Sequence, residues 1–140
     1  MILLDTNVLS ELMRAQPSPQ VRTWIVRQPP SELFTTSITE SEIFYGIELL
    51  ASGKRRDALL AAAETMFAED LRGRVLGFES EDARAFAAIA AHRRALGRPI
   101  SHADGQIAAM AKIRRAILAT HDADDFEDCG LEVVDPWSAT

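Results

Sequence analysis

Four acidic residues stand where an α/β chain does chemistry: Asp5 in "ILLDTN", Glu42 in "TSITESEIF", Asp104 in "RPISHADG" and Asp122 in "ILATHDADD". If the fold gathers them, four carboxylates in one pocket repel strongly unless cations neutralise them. Oxygen-only ligation selects Mg2+ or Mn2+, because zinc would draw Cys or His. The histidines build no zinc site: His92 stands alone on a helical stretch, while His102 and His121 flank the acids and can orient a carboxylate or move a proton. The reaction that suits such a cluster is phosphodiester hydrolysis, in which one ion lowers the pKa of a bound water and a second, about 3.5–4 Å away, stabilises the leaving oxygen. No side chain need become a covalent nucleophile.

The elements that must position these acids are legible from pattern. Ile2 to Leu4 is a short, wholly apolar strand of the buried parallel kind, followed by a helix with Val8, Leu9 and Leu12 on one side and Thr6 or Asn7 as its cap. A second short helix lies in "QPSPQVRTWIVRQPP", entered at Pro17 and Pro19 and stopped by Pro29-Pro30. "ELFTTS" is a second strand, and from Thr39 a helix places Ile43, Ile47 and Leu50 on one face. With the amphipathic helix from Lys54 to about Asp70 it forms a helical hairpin. "RVLGF" is a third strand, Glu79 to Leu96 a helix, and Gly97-Arg98-Pro99 a break before a helix that starts near Ser101. "AILAT" and "LEVVDP" supply a fourth and a fifth strand. Strands separated by helices, with no repeat or linker between them, predict one α/β domain over residues 1–140 around a mainly parallel sheet.

Ligands of open α/β sheets bind beyond the carboxyl ends of the strands. Asp5 and Asp122 follow strands directly, and Glu42 and Asp104 fall in the first turns of helices, so all four can face one end of the sheet. Each has a plainer role. Thr39-x-x-Glu42 and Ser101-x-x-Asp104 both fit the capping box, Asp5 can cap its own helix, and Asp124 and Asp125 compete with Asp122 within one tetrad. Taken singly, Glu42 and Asp104 read better as caps than as ligands. Their number and shared topological position shift the balance toward a site.

Composition bounds the rest. The chain has 140 residues, 47% of them hydrophobic and 26% charged. It carries no run of roughly 18 apolar residues and no basic, then apolar, leader, which makes a cytoplasmic protein the expectation. Cys129, the single cysteine, has no disulfide or zinc partner and reads as a passive thiol. The net charge of −6 argues mildly against nucleic-acid binding by bulk electrostatics. Lys54-Arg55-Arg56, Arg93-Arg94 with Arg98, and Lys112 with Arg114-Arg115 each read as solvated helix faces. Only convergence of such groups around an acidic pocket would turn them into a substrate track.

Taken together, "LLDTNVLSEL", "TSITESEIFYGI", "GRPISHADGQIAAMA" and "ILATHDADDFE" resemble the PIN-domain ribonucleases of the VapC toxin type, in their FitB-like branch. The likeness runs over nearly the whole chain in the family's motif order. It implies a three-layer α/β/α sandwich with a central, mainly parallel sheet of about five strands. It further implies a Mg2+- or Mn2+-dependent endoribonuclease toxin, a homodimer, and a cognate DNA-binding antitoxin of the VapB or FitA kind that inserts a C-terminal segment into the active site, with a higher assembly on operator DNA. Carried over by position, Asp5, Glu42 and Asp104 match the family's central acids, Asp122 takes the fourth position and Asp125 matches the acid before Phe126. Thr6, Asn7 and Thr120 would position those carboxylates. The tetrad from Asp122 to Asp125 is more acidic than the commoner forms, which carry a basic residue before the final Asp, and leaves Asp122 and Asp125 both open as the fourth acid.

Two other readings compete. A phosphotransferase of the haloacid-dehalogenase type also begins with an apolar strand and a nucleophilic Asp, with Thr36 or Ser37 after its second strand. It would want an acid where Asn7 stands, has no evident lysine between the motifs, and leaves Glu42 and Asp104 idle. A catalytically silent module that only docks an antitoxin would leave the whole acid set without work.

Overall fold

Ile2, Leu3 and Leu4 are buried on both faces because they form the central strand, β1 (Ile2–Leu4), of a five-stranded sheet ordered β3-β2-β1-β4-β5. The structure is a computed structural model describing residues 1–139; Thr140, the last residue of the expected domain, lies outside them. β1 pairs in parallel with β2 (Leu33–Thr36) and with β4 (Ile117–Ala119). The flanking strands β3 (Val75–Leu76) and β5 (Glu132–Val134) are parallel as well, so the sheet is wholly rather than mainly parallel.

Alternation along the strands divides the core in two. Ile2 and Leu4, with Leu33, Ile117 and Ala119, face α1 (Thr6–Leu12), α2 (Pro19–Val26), α3 (Ser37–Glu48) and α4 (Lys54–Thr65). Leu3, Phe34, Leu118 and Val133 face the other way, against α5 (Ser80–Ala95) and α6 (His102–Arg114). This is the α/β/α sandwich of the sequence reading. Chain order explains the split. The first two crossovers step outward from β1 in one direction, whereas the third, carrying α5 and α6, returns past β1 to β4. Right-handed connection places helices on opposite faces when the direction of travel reverses. The reversal lies between β1 and β4, where an open sheet leaves a crevice at the strands' carboxyl ends.

Several local expectations are corrected. Asp5, not Thr6 or Asn7, caps α1. α3 begins at Ser37, capped by Thr36, whose hydroxyl accepts the Thr39 N–H at 3.1 Å. Glu42 therefore lies beyond the first turn and is not part of a cap. The helix expected from Lys54 to Asp70 widens after Thr65 into a π-helical turn, Met66–Asp70. The tetrad after β4 folds into a 3-10 turn, Ala123–Phe126.

The basic groups also change meaning. Arg93 is buried and donates to the carbonyls of Arg98, Asp125 and Glu127, which ties the turn after β4 to the end of α5. Arg114 meets the fully buried Asp82 through both terminal nitrogens, at 2.8 and 3.2 Å, and the same carboxylate accepts the Glu79 N–H at 2.8 Å. Asp82 thus starts α5 and staples it to α6, the helix that carries Asp104. Breaking a buried ion pair from one side strands the other charge, so Asp82→Ala is expected to lower stability by about 3 kcal/mol, read as a fall in the urea midpoint. A midpoint within error of the parent would refute the staple.

Candidate active site

The main chain carries β1 straight into the crevice. The Asp5 N–H still bonds to the Ala119 carbonyl at 2.9 Å, one step past the last paired residues, which puts Asp5 level with Thr120. The Asp5 side chain is only 5% exposed, and both its oxygens are held. Oδ1 accepts the Thr6 N–H at 2.8 Å, the helix cap, and Oδ2 accepts the Thr120 hydroxyl at 2.7 Å. Thr120 has no freedom left: its oxygen also accepts the Asn7 amide at 3.2 Å and the Asp122 N–H at 3.1 Å. A hydroxyl has one proton and two lone pairs, so two incoming donors force its proton toward Asp5.

Asn7 is the second node. Its amide also reaches Asp122 Oδ2 at 3.1 Å, and its Oδ1 accepts the His121 N–H at 3.2 Å. The loop after β4 is thereby fastened to the start of α1. On the other side Thr6 Oγ1 donates to Glu42 Oε1 at 2.7 Å and lies 3.2 Å from the buried Thr39 Oγ1. Since the Thr6 proton goes to the carboxylate, Thr39 supplies the proton of the second contact. Asp104 enters from α6, its N–H bonded to the cap Ser101 Oγ at 3.2 Å. Gly105 beside it is required by packing: a Cβ there would stand 2.7 Å from the Phe86 ring.

These elements bring Asp5, Glu42, Asp104 and Asp122 to the wall of one open pocket of about 560 Å3, together with Thr6, Asn7 and Trp137. Asp125 does not line it; exposed in the 3-10 turn, it acts on the site through its charge. His102 packs at a tilt against Phe86 and His121 against Trp137, outside the acid set. Cys129 is buried, with its thiol pushed up by that burial, as a passive thiol should be. A second cavity of about 540 Å3 lies among α1, α2 and α4, but its wall is mostly apolar and holds none of the four acids. Sequence reasoning missed Glu11, Arg14 and Trp137 in the acid pocket's wall. The first two sit within three residues of each other at the end of α1 and were legible only as an ordinary surface pair.

Residues 2–130 match the family model described as the PIN domain. The chain belongs to the PIN-domain family. It is similar to the VapC ribonuclease Y4jK of Sinorhizobium fredii, 39% identical over 137 residues and 98% of each chain. It is also similar to the toxin FitB of Neisseria gonorrhoeae, 36% identical over 98% of this chain and 99% of that one. Among solved structures, that of FitAB bound to an IR36 DNA fragment superposes with a TM-score of 0.92 at 35% identity, covering 100% of this chain and 98% of the other.

Electrostatics in this PIN domain follow first from burial and then from crowding. Burial pushes the Asp5 carboxyl up to about 6, and the charges of Asp104 and Glu42 push the same way, against the lowering effect of the Thr120 hydroxyl and the Thr6 N–H. Asp104 is raised too, first by burial and then by the charges of Asp125, Glu42 and Asp122, against the Ser101 hydroxyl. Among the described residues no three acids, histidines or cysteines stand close enough to hold an ion by themselves. The donor chemistry still fits a hard divalent cation. The four acids offer only carboxylate oxygens, which repel one another, the pocket is open to water, and Mg2+ characteristically keeps several waters while taking one or two carboxylates.

Two outcomes are expected. Between about pH 4 and 6 the folded protein holds the Asp5 proton more tightly than the unfolded chain does, so the contribution of Asp5 to metal-free stability is full at the acid end of this window and is lost as pH rises through 6. Asp5→Asn, which cannot titrate, should flatten that slope. A slope unchanged by the substitution would contradict the assignment. Thr120→Val should cost about 1–3 kcal/mol by leaving the Asn7 amide and the Asp122 N–H without their acceptor. Chemical denaturation would measure it, and a neutral result would show that the hydroxyl node is dispensable.

Proposed function

We propose that this PIN domain is the endoribonuclease toxin of a type II toxin–antitoxin pair, cutting RNA phosphodiester bonds with Mg2+, for which Mn2+ can substitute. The observation that carries the reading is the delivery of Asp5, Glu42, Asp104 and Asp122 from four different parts of the chain to one pocket at the point where the order of the strands reverses. Crowded carboxylates with raised proton affinity are a costly arrangement for stability alone. The ribonuclease and toxin relatives, similar over almost the full chain, support the same assignment.

In this reading Asp5, Glu42, Asp104 and Asp122 hold the cation together, one or two of them directly and the others through its waters. The chemistry a divalent cation supplies when bound there is activation of water and neutralisation of charge on the phosphate. The chain does the positioning. Thr120, locked by Asn7 and the Asp122 N–H, aims Asp5; Thr6 aims Glu42; the Ser101 cap and the close packing of Gly105 set Asp104. Asp122 supplies the fourth carboxylate, held by Asn7, while Asp125 adds negative charge beside Asp104.

A cognate antitoxin would silence the enzyme by filling this pocket, and the toxin would act in the cytoplasm as a homodimer that can join antitoxin on operator DNA. The relatives include a FitAB complex on DNA, which supports such an assembly. Among the described residues no helix is long and apolar enough to cross a membrane. The phosphotransferase alternative fares worse: it wants an acid where Asn7 stands, and it leaves Glu42 and Asp104, which line the same pocket as Asp5, without work.

Antitoxin-free protein should cleave cellular RNA into discrete fragments with Mg2+ or Mn2+ and leave it intact in EDTA. Asp5→Asn and Asp104→Asn should each cost at least about 100-fold in rate, the scale set by loss of several kcal/mol of charge stabilisation, with the fold preserved by circular dichroism. Cleavage that survives EDTA or both substitutions would overturn the proposal.

A further inference from the structure

An acid pocket that cuts a polyanion needs a cation to hold the strand, and four of the nine basic residues marked in the sequence, Arg56, Arg93, Arg98 and Arg114, are spent elsewhere. Arg93, Arg98 and Arg114 fasten α5, α6 and the turn after β4. Arg74 is bound to the carbonyls of Pro30, Leu33 and Asp70, and Arg56 pairs with Glu48. One basic residue lines the acid pocket among the described residues, and it is Arg14.

Its setting is built for presentation. Glu11 is 9% exposed; its Oε2 accepts the Ser18 N–H at 3.0 Å, which fixes the carboxylate to the loop between α1 and α2. Both oxygens of that carboxylate accept Arg14 Nη1, at 3.2 and 3.1 Å. The other guanidinium nitrogens, Nε and Nη2, have no partner among the described residues, and the side chain is 67% exposed. A guanidinium held at one corner, with its remaining donors facing solvent, is preorganised for a phosphate. Arg14 also lines a neighbouring groove of about 540 Å3 whose far wall carries the exposed Arg55 of α4. Two guanidiniums thus continue outward from the four acids along one surface.

We infer that Arg14 is a substrate-positioning residue that takes a backbone phosphate of the RNA next to the scissile one, with Arg55 guiding the strand further along the groove. This rests on the ribonuclease reading above. Arg14 itself is mostly exposed, and the buried Glu11 keeps the Ser18 N–H when Arg14 is removed, so Arg14→Ala should still fold, which circular dichroism checks.

The test separates binding from chemistry and one proposal from the other. On an oligonucleotide cut by the parent enzyme, Arg14→Ala should raise KM roughly tenfold, the worth of one charge-assisted contact, while kcat stays within about threefold, and Arg14→Lys should recover part of the loss. In the Asp5→Asn background, which binds without cutting, the slope of log affinity against log salt should fall by about 1 when Arg14 is removed. An active parent with unchanged KM and salt slope in Arg14→Ala overturns the inference and leaves the nuclease standing. Loss confined to kcat also overturns it, since it would place Arg14 at the reacting phosphate or in support of the acids. A parent that cuts no RNA sinks the nuclease reading itself.

Discussion

The structure depends on keeping one buried carboxylate in place at the end of the central strand. Asp5 caps α1 with one oxygen and takes the Thr120 hydroxyl with the other, so the same side chain ends β1, begins α1 and joins the ends of β1 and β4. Burial and neighbouring acids work against its charge, while those two hydrogen bonds work for it. The surrounding polar framework, from Thr39 through Thr6 to Glu42 and from Asn7 through Thr120 to Asp122, is a hydrogen-bonded cage that holds repelling groups at fixed positions. Among the described residues no buried side-chain nitrogen or oxygen lacks a partner, which is how a polar end can sit on an apolar sheet without a large desolvation penalty.

Much of this was legible in residue type. The apolar runs at Ile2–Leu4 and Ile117–Ala119 are buried on both faces, so they announce parallel strands, and an acid directly after such a run must emerge at the sheet's carboxyl end. That logic located Asp5 and Asp122. Strand order was less accessible from local pattern, because it follows from the direction of each crossover rather than from any stretch of sequence. The start of α3 was misplaced for a local reason: Thr35, Thr36, Ser37 and Thr39 all offer a hydroxyl, and only the end of β2 decides that Thr36 is the cap. The misplacement mattered, since it put Glu42 in a capping turn and hid its partner Thr6.

Charge was the least legible property. Arg93 and Arg114 have the composition of a solvated helix face, yet one is buried against three carbonyls and the other seals Asp82. Arg14, in contrast, belonged to no cluster and stands at the pocket. Pairwise geometry in three dimensions decides whether a cation staples the fold or faces a ligand, and composition averages over that difference. It also explains how a chain with a net charge of −6 can act on RNA: bulk charge is negative, and attraction is confined to a short path beside the acids.

RNA cleavage at this pocket requires that its acids bind a divalent cation. The direct measurement is a Mn2+ titration of the metal-free protein at pH 7, followed by the free-ion electron paramagnetic resonance signal, beside the Asp5→Asn, Asp104→Asn double variant. Saturable binding by the parent that vanishes in the folded double variant is the expected result. Absence of saturable binding, or binding that survives the loss of both acids, would contradict the central claim.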